Sequence, residues 1–416
     1  MKKLGYGNTL SACFIGYITQ AIINNFAPLL FLTFQSEFGI GLDKITLLVT
    51  INFFTQLFVD MIAAKAVDRI GYKPCVIAAH VFSAAGLIGL ATFPSVGDPY
   101  AGLVTAVVLY AIGGGLIEVL ISPIAEACPT RDKTGAMSLL HSFYCWGSAG
   151  VILISTVILG AVGAGNWRWL AAAWAIVPIF NAIYFGFVPV NMLGGEEGGT
   201  KIRKLLSSKT FWLFAVMMLC AGAAELSMSQ WASAFAESGL GVSKTQGDLF
   251  GPCLFAILMG AARVLYAKFG AKLNAPATIF GCCILCLGSY LLAALSPDPV
   301  LGLIGCALCG FSVGIFWPAT FSLAIGRMPK GGTALFALLS LSGDMGCTGG
   351  PTLVGFVSDA ADGSLATGLL FSSVFPVILA VCSAALFFGS RRRSGGKKDF
   401  AEEPSASPTS ESERDA

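Results

Sequence analysis

The chain has 416 residues, of which 56% are hydrophobic and 12% are charged, and its mean hydropathy is +0.79. Soluble domains average about 25% charged residues and keep most of their surface wettable, so this composition excludes a soluble protein of this size. The sequence has no phosphate-binding loop, no His-Glu-x-x-His motif and no basic nucleic-acid patch. We therefore expect a membrane protein that is not an enzyme and that uses neither a cofactor nor nucleic acid.

Apolar runs long enough to cross a bilayer, roughly 20 residues each, recur along the chain. In the first half they lie at residues 10–35, 45–66, 75–94, 100–124, 135–161 and 168–190. In the second half they lie at residues 211–236, 247–268, 275–295, 299–326, 333–357 and 366–390. The predicted fold class is an all-α integral membrane protein, with about twelve transmembrane helices in two pseudo-symmetric six-helix bundles.

A polar stretch at residues 191–210 separates the two sets of spans and predicts a cytoplasmic linker. The N-terminal bundle then comprises residues 1–190, and the C-terminal bundle comprises residues 211–390. Residues 391–416 are rich in Ser, Glu and Pro, which predicts a disordered cytoplasmic tail.

Basic residues are distributed unequally between the two sides of the predicted membrane. All but three of the 25 lie on the side of the chain termini, and the exceptions are Lys44, Arg168 and Lys244. Because Lys and Arg favour the cytoplasmic side, we expect both termini in the cytoplasm. The expected location is the plasma membrane, which is the inner membrane of a bacterial cell, and the expected assembly is a monomer in the lipid bilayer.

The two halves of the chain repeat each other weakly. Gly71 and Lys73 follow the second predicted span, and Gly270 and Lys272 follow the eighth, at a common offset of 199 residues. Such internal symmetry is typical of transporters that arose by duplication.

The loop Asp68-Arg69-x-Gly71-x-Lys73 resembles the cytoplasmic signature of the major facilitator superfamily, which lies between the second and third helices of that family. The turn at 166–169 (Asn-Trp-Arg-Trp) is also similar to that superfamily. The resemblance implies two six-helix bundles around a central cavity, with alternating access by rocking of the halves. It further implies that Asp68, Arg69, Gly71 and Lys73 form a cytoplasmic gate.

A narrower resemblance is to the fucose–proton symporter group. It rests on the Gly-rich stretch 113–123 with its internal Glu118, the pair Asn24-Asn25, the stretch 139–147, and Glu225 with Trp231. The sequence departs from that group where His141 replaces a Gln, and where Ala27 and Pro28 replace an acid. The resemblance implies symport of a sugar with protons.

Glu118 lies within a Gly-rich apolar span. An ionised carboxylate in hydrocarbon costs several kcal/mol, so Glu118 must face a cavity or stay protonated. A carboxyl group in such surroundings suits a residue that binds and releases one proton in each cycle. We interpret Glu118 as a proton carrier or as an acceptor for substrate hydroxyls. The alternative is a structural glutamate that is bonded to a neighbouring helix.

Other polar and aromatic residues extend this candidate site. Glu225 lies opposite Asn25 in the repeat, and His141 titrates near neutral pH and could relay a proton to Glu118, so the predicted proton-coupling residues are Glu118, Glu225 and His141. The predicted substrate-binding residues are Asn24, Asn25, Glu118, His141, Glu225, Trp231, Trp317 and Asp344. A packing role is the alternative for each of them. Asp60 is expected near the cytoplasmic face, either as a gate residue or as a structural partner of Arg263.

Four cysteines, Cys283, Cys286, Cys306 and Cys309, have zinc-ribbon spacing, but they lie in apolar spans and we expect no metal site. The sequence thus predicts a secondary active transporter that moves a small polar solute, a sugar or polyol, by alternating access with proton symport. Two alternatives remain, which are efflux of a drug or metabolite by proton antiport and a non-transporting membrane sensor on the same fold. The expected partners are the small-molecule substrate, protons and the bilayer.

Overall fold

The computed structural model describes residues 4–129, 133–191, 202–328 and 332–398, and within these ranges the chain is helical and contains no strand. Eleven helices among the described residues are long and apolar enough to cross a membrane. One more long helix, Gly332–Ala360, is less apolar because Gly, Ser, Thr and Asp interrupt it, and it brings the number of long helical segments to twelve. The predicted all-α, twelve-helix membrane fold is confirmed.

The first six helices run alternately between two ends of the molecule, which we call the terminal end, where Tyr6 lies, and the opposite, distal end. They are α1 (Tyr6–Phe38), α2 (Leu42–Ile70), α3 (Tyr72–Thr92), α4 (Pro99–Glu126), α5 (Lys133–Val162) and α6 (Ala164–Phe187). A 3₁₀ turn at Ala27–Leu30 interrupts α1, because Pro28 has no N–H with which to continue the helical hydrogen bonds.

A five-residue helix, Ile202–Leu206, precedes the second set. The long helices are α7 (Lys209–Gly239), α8 (Lys244–Phe269), α9 (Ala275–Leu295), α10 (Pro299–Arg327), α11 (Gly332–Ala360) and α12 (Leu365–Lys398). A π-helical turn at Leu249–Cys253 contains Pro252 and interrupts α8. The start of α8 lies at the distal interface that is described below.

The segments predicted as linker and tail are partly described. The linker region contains the short helix Ile202–Leu206, and residues 192–201 lie outside the described residues. The last helix continues to Lys398, eight residues into the segment predicted to be disordered. Residues 399–416 lie outside the described part of the chain.

The two bundles meet at the distal end. At least five hydrogen bonds join them, and these five involve the distal parts of α1, α2, α5, α7, α8 and α11. In one of them, Thr50 of α2 and Thr352 of α11 lie 2.7 Å apart through their hydroxyl oxygens. Gly355 allows this close approach, because a Cβ there would lie 2.1 Å from Oγ1 of Thr46.

Glycines also bring α7 and α11 into close contact within the C-terminal bundle. A Cβ at Gly346 of α11 would lie 1.9 Å from the carbonyl oxygen of Leu219 in α7. A Cβ at Gly222 of α7 would lie 2.2 Å from the carbonyl oxygen of Gly343. Since both clashing atoms belong to the backbone, neither can move aside without separating the helices.

This contact predicts a position-specific effect on stability. We expect Gly346→Ala to lower the free energy of unfolding by about 1–3 kcal/mol, because overpacking separates two helices. Gly349→Ala is the matched control on the same helix, since a Cβ there meets nothing within 4 Å. The measurement is the melting temperature of each variant in detergent. Equal melting temperatures for the two variants would contradict the described packing of α7 against α11.

Candidate functional site

Glu118 lies on the face of α4 that turns toward α1 and α11. Its side chain is exposed, and its carboxylate Oε2 lies 3.5 Å from Nε2 of Gln20 in α1. Asp344 of α11, in the other bundle, is close enough for the two carboxyl groups to interact electrostatically. No salt bridge to Glu118 is formed within the described residues. Glu118 therefore occupies the space between the bundles, and no described Lys or Arg forms an ion pair with it.

The Gly-rich sequence of α4 explains how Glu118 reaches this position. A Cβ at Gly113 would lie 2.3 Å from Oγ of Ser83, and one at Gly115 would lie 2.9 Å from the carbonyl oxygen of Gln56. These glycines let α4 pack tightly against α3 and α2. Glu118, one turn further along, is left facing the space between the bundles.

Glu225 of α7 is paired with Arg263 of α8. The Nη2 atom of Arg263 lies 3.5 Å from Oε1 of Glu225, and Nε donates to the carbonyl oxygen of Gly314 at 3.3 Å. Glu225 is 5% exposed, and its second carboxylate oxygen has no hydrogen-bond partner in the described residues. Arg263 thus forms its salt bridge with Glu225 and not with Glu118.

The predicted pairing of Asp60 with Arg263 is wrong in this structure. Both carboxylate oxygens of Asp60 are buried without a hydrogen-bond partner among the described residues. Asp60 lies instead near Glu118 and Asp344, and the three carboxyl groups interact electrostatically. The repulsion among these acids is greatest when all three are ionised.

Asn25 and Glu225 line the same small cavity between the bundles. The volume of this cavity is about 10 Å³, which is enough for one water molecule. The other lining residues include Tyr144, Ser148, Ser229 and Met259. Asn25 also donates from Nδ2 to Oγ of Ser148 at 3.0 Å. The structure therefore places these polar groups of the two halves together.

Asn24 has a different environment from its neighbour Asn25. Its side chain is buried within the N-terminal bundle, and its Oδ1 accepts a hydrogen bond from Nε2 of Gln56 at 3.0 Å. The two asparagines point in different directions because consecutive helical residues are rotated by about 100°. Asn24 is thus engaged behind the site, whereas Asn25 lines it.

His141 of α5 is exposed and lies beside Tyr17 of α1, with ring centroids 5.5 Å apart. The described residues show no hydrogen bond between His141 and Glu118, so a direct relay between them is absent here. Tyr17 interacts electrostatically with Glu118, and its hydroxyl lies 2.8 Å from Oγ of Ser122. The sequence analysis missed Tyr17, although its spacing of three residues from Gln20 places both on one face of α1.

The two predicted tryptophans differ in their surroundings. Trp231 is fully buried, and its Nε1 donates to the carbonyl oxygen of Pro351 at 2.9 Å. Trp317 is partly exposed and packs against Gly343, where a Cβ would lie 2.3 Å from its Cη2. Trp317 is therefore adjacent to Asp344, whereas Trp231 fastens α7 to α11.

The predicted gate loop joins α2 to α3. Gly71 has φ of +95°, a backbone conformation that favours glycine. Arg69 is exposed, and Nζ of Lys73 donates to the carbonyl oxygen of Val188 at 3.0 Å, within the same bundle. The side chain of Asp68 lies outside the described side chains. The gate role of these four residues stays a prediction.

A buried carboxylate that the sequence analysis missed lies at the distal interface. Asp248 of α8 is 1% exposed, forms a salt bridge with Lys244 at 3.3 Å, and accepts a hydrogen bond from Ser233. Its Oδ2 also accepts from Oγ1 of Thr156 in the other bundle at 3.2 Å. Lys244 in turn donates to the carbonyl oxygen of Leu29 in α1. We call Lys244, Asp248 and Thr156 the distal latch, since they join the bundles through buried charge.

Comparisons with known proteins agree with this architecture. The sequence profile described as Major Facilitator Superfamily matches residues 9–338. An uncharacterised MFS-type transporter of Yersinia pestis is 24% identical over 292 residues, which cover 68% of this chain and 72% of that protein.

Similar solved structures are transporters of three solutes. The Escherichia coli fucose:proton symporter has a TM-score of 0.62 at 15% identity, with 92% of this chain and 99% of that chain covered. A nucleoside transporter has a TM-score of 0.73 at 12% identity, with coverage of 91% and 100%. A D-xylose–proton symporter has a TM-score of 0.71 at 13% identity, with coverage of 91% and 95%. At these identities the likeness shows a shared fold.

Proposed function

Because the chain belongs to the Major Facilitator Superfamily, a family of membrane transporters, we propose that it is a secondary active transporter of a sugar or polyol, driven by proton symport. The observation that carries this proposal is Glu118, an exposed carboxylate between the bundles that has no cationic partner among the described residues. A proton that neutralises Glu118 would remove the main electrostatic barrier to moving this group through a closed intermediate.

We infer the orientation of the protein from the distribution of its basic residues. If both termini are cytoplasmic, as the distribution of Lys and Arg favours, the distal end faces the outside. The bundles are joined at that end by the distal latch and by Thr50 with Thr352. The structure then corresponds to an inward-facing state of an alternating-access cycle in the plasma membrane.

The acidic residues of the site have separate roles in this proposal. Glu225 is paired with Arg263, and it offers hydrogen-bond acceptors to the solute next to Asn25. Glu118 takes up and releases the proton, and His141 and Asp344 complete the polar surroundings. Trp317 offers an apolar face for a sugar ring beside Asp344. Asn24 and Trp231 support this site through the helices that they join.

A ligand screen followed by uptake tests this function. We expect sugars or polyols to raise the melting temperature of the purified protein, because a ligand at a hundred times its Kd stabilises the native state by about 2.7 kcal/mol. The solute identified in this way should accumulate in proteoliposomes under an inward proton gradient. Stabilisation by lipophilic drugs alone would favour efflux instead, and binding without uptake would favour a sensor.

A further inference from the structure

Four buried amide side chains form a continuous hydrogen-bonded chain that ends at Glu118. They are Gln20 and Asn24 of α1 and Asn52 and Gln56 of α2, and each is between 3% and 7% exposed. Nε2 of Gln20 donates to Oε1 of Gln56 at 2.9 Å, and Nε2 of Gln56 donates to Oδ1 of Asn24 and of Asn52, both at 3.0 Å. We call these four residues the amide chain.

In the structure the hydrogen bonds of this chain all run from Gln20 through Gln56 to Asn24 and Asn52. Gln56 gives both of its amide hydrogens to the two asparagines, so its oxygen faces Gln20. Gln20 must then present its amino group, since its oxygen would face another acceptor if the amide were flipped. The second hydrogen of that amino group is left for Glu118, whose Oε2 lies 3.5 Å away.

The side-chain oxygen of Gln20 faces α4. It is buried without a hydrogen-bond partner among the described residues, and a Cβ at Gly114 would lie 3.2 Å from it. Gly114 and Glu118 are four residues apart and lie on one face of α4. The amide of Gln20 therefore presents a donor to the ionised carboxylate, and it carries an unused acceptor against the same helix face.

The other end of the chain reaches the opposite bundle. Nε2 of Gln230 in α7 donates to the backbone carbonyl oxygen of Asn24 at 3.0 Å. A small cavity lined by Asn24, Asn52 and Gln230 borders this contact. When the distal interface opens, Gln230 must leave Asn24, and the amide chain loses its anchor in the C-terminal bundle.

We propose that the amide chain couples the state of the distal interface to the proton carried by Glu118, with Gln56 as the central positioning residue. This inference rests on the proposed role of Glu118 in proton symport. Opening the distal end breaks the bond from Gln230 to the backbone of Asn24. This part of α1 can then shift relative to α2, which weakens the hydrogen bonds that Gln56 forms with Asn24 and Gln20. The donor that Gln20 offers to the ionised form of Glu118 is then withdrawn, so Glu118 binds a proton when it faces outside.

The test is Gln56→Leu in proteoliposomes, which removes the three hydrogen bonds made by Gln56 and leaves Glu118 in place. We expect proton-driven accumulation to fall about tenfold, because buried hydrogen bonds in such a network are lost together. Counterflow exchange of the solute, which needs no net proton movement, should stay near the wild-type rate. Gln230→Leu should also lower accumulation while counterflow stays near the wild-type rate, because it removes the contact at the other end of the amide chain.

The matched control is Asn181→Leu in the same bundle. Asn181 is a fully buried amide that donates to Ala12 at 3.0 Å and contacts His80 at 2.7 Å, apart from the amide chain. Replacing Asn181 should lower accumulation and counterflow by the same factor, because it changes only the stability of the protein.

Two results would overturn the inference. One is normal accumulation in both Gln56→Leu and Gln230→Leu while Glu118→Gln is uncoupled. The other is an equal loss of accumulation and counterflow in both chain variants, as in the control. If Gln56→Leu does not fold, the ratio of accumulation to counterflow in Gln230→Leu tests the inference alone. If Glu118→Gln itself accumulates solute normally, the proposed function fails instead.

Discussion

Replacing Glu118 with glutamine is expected to abolish proton-driven accumulation, so that the internal solute concentration never exceeds the external one. Glutamine keeps the size of the side chain and one acceptor oxygen but cannot take up a proton. The bundles should therefore still rock, and exchange of solute across vesicles should continue. The measurements are concentrative uptake under an inward proton gradient and counterflow with preloaded vesicles.

The matched control for this variant is Asp98→Asn on the same helix. Asp98 caps the N-terminus of α4 by accepting hydrogen bonds from the N–H groups of Tyr100 and Ala101, each at 3.3 Å. Asparagine caps a helix as well as aspartate does, so accumulation should be retained. Concentrative uptake by Glu118→Gln at the wild-type level would show that the coupling proton resides elsewhere.

Replacing Asp248 with asparagine is expected to open the distal end. The change leaves Lys244 without its buried counter-charge and weakens the hydrogen bonds from Thr156 and Ser233. Breaking one side of a buried ion pair costs about 3 kcal/mol or more. Since the latch joins the two bundles, this corresponds to roughly a hundredfold shift in the ratio of distally open to distally closed states. Faster hydrogen–deuterium exchange in the distal parts of α5 and α8 is the expected signature.

Glu237→Gln is the control for the distal latch. Glu237 lies 4.0 Å from Lys244, and its side chain is about one third exposed, so solvent already screens this pair. Exchange in α5 and α8 should stay at the wild-type level in this variant. If Asp248→Asn also leaves exchange unchanged, the latch does not hold the bundles together.

The fold could be predicted from the sequence because bilayer thickness sets the length of each apolar run. The interruptions within the helices were not foreseen. Pro28 lies in a short 3₁₀ turn that interrupts α1, and Pro252 lies in a π-helical turn of α8. Hydropathy carries no information about such turns, since they change the backbone but not the mean polarity of the span.

The site could be predicted only in part. Repeat symmetry placed Asn25 opposite Glu225, and both line one cavity. The partners of the charged groups were not predictable, because Arg263 meets Glu225 rather than Asp60 only through the packing of α7 against α8. Gln56 and Asp248 were missed for a similar reason. Gln56 also bonds Gln20 and Asn24 of α1, and Asp248 also bonds Ser233 of α7 and Thr156 of α5, which are contacts between helices.

Solute-driven proton movement in lightly buffered proteoliposomes tests the coupling role of Glu118 most directly. Addition of the transported sugar or polyol outside wild-type vesicles should make the external medium alkaline, because protons enter together with the solute. Glu118→Gln vesicles should admit the solute without this pH change. Entry of solute into wild-type vesicles with no pH change, or with acidification of the medium, would contradict proton symport through Glu118.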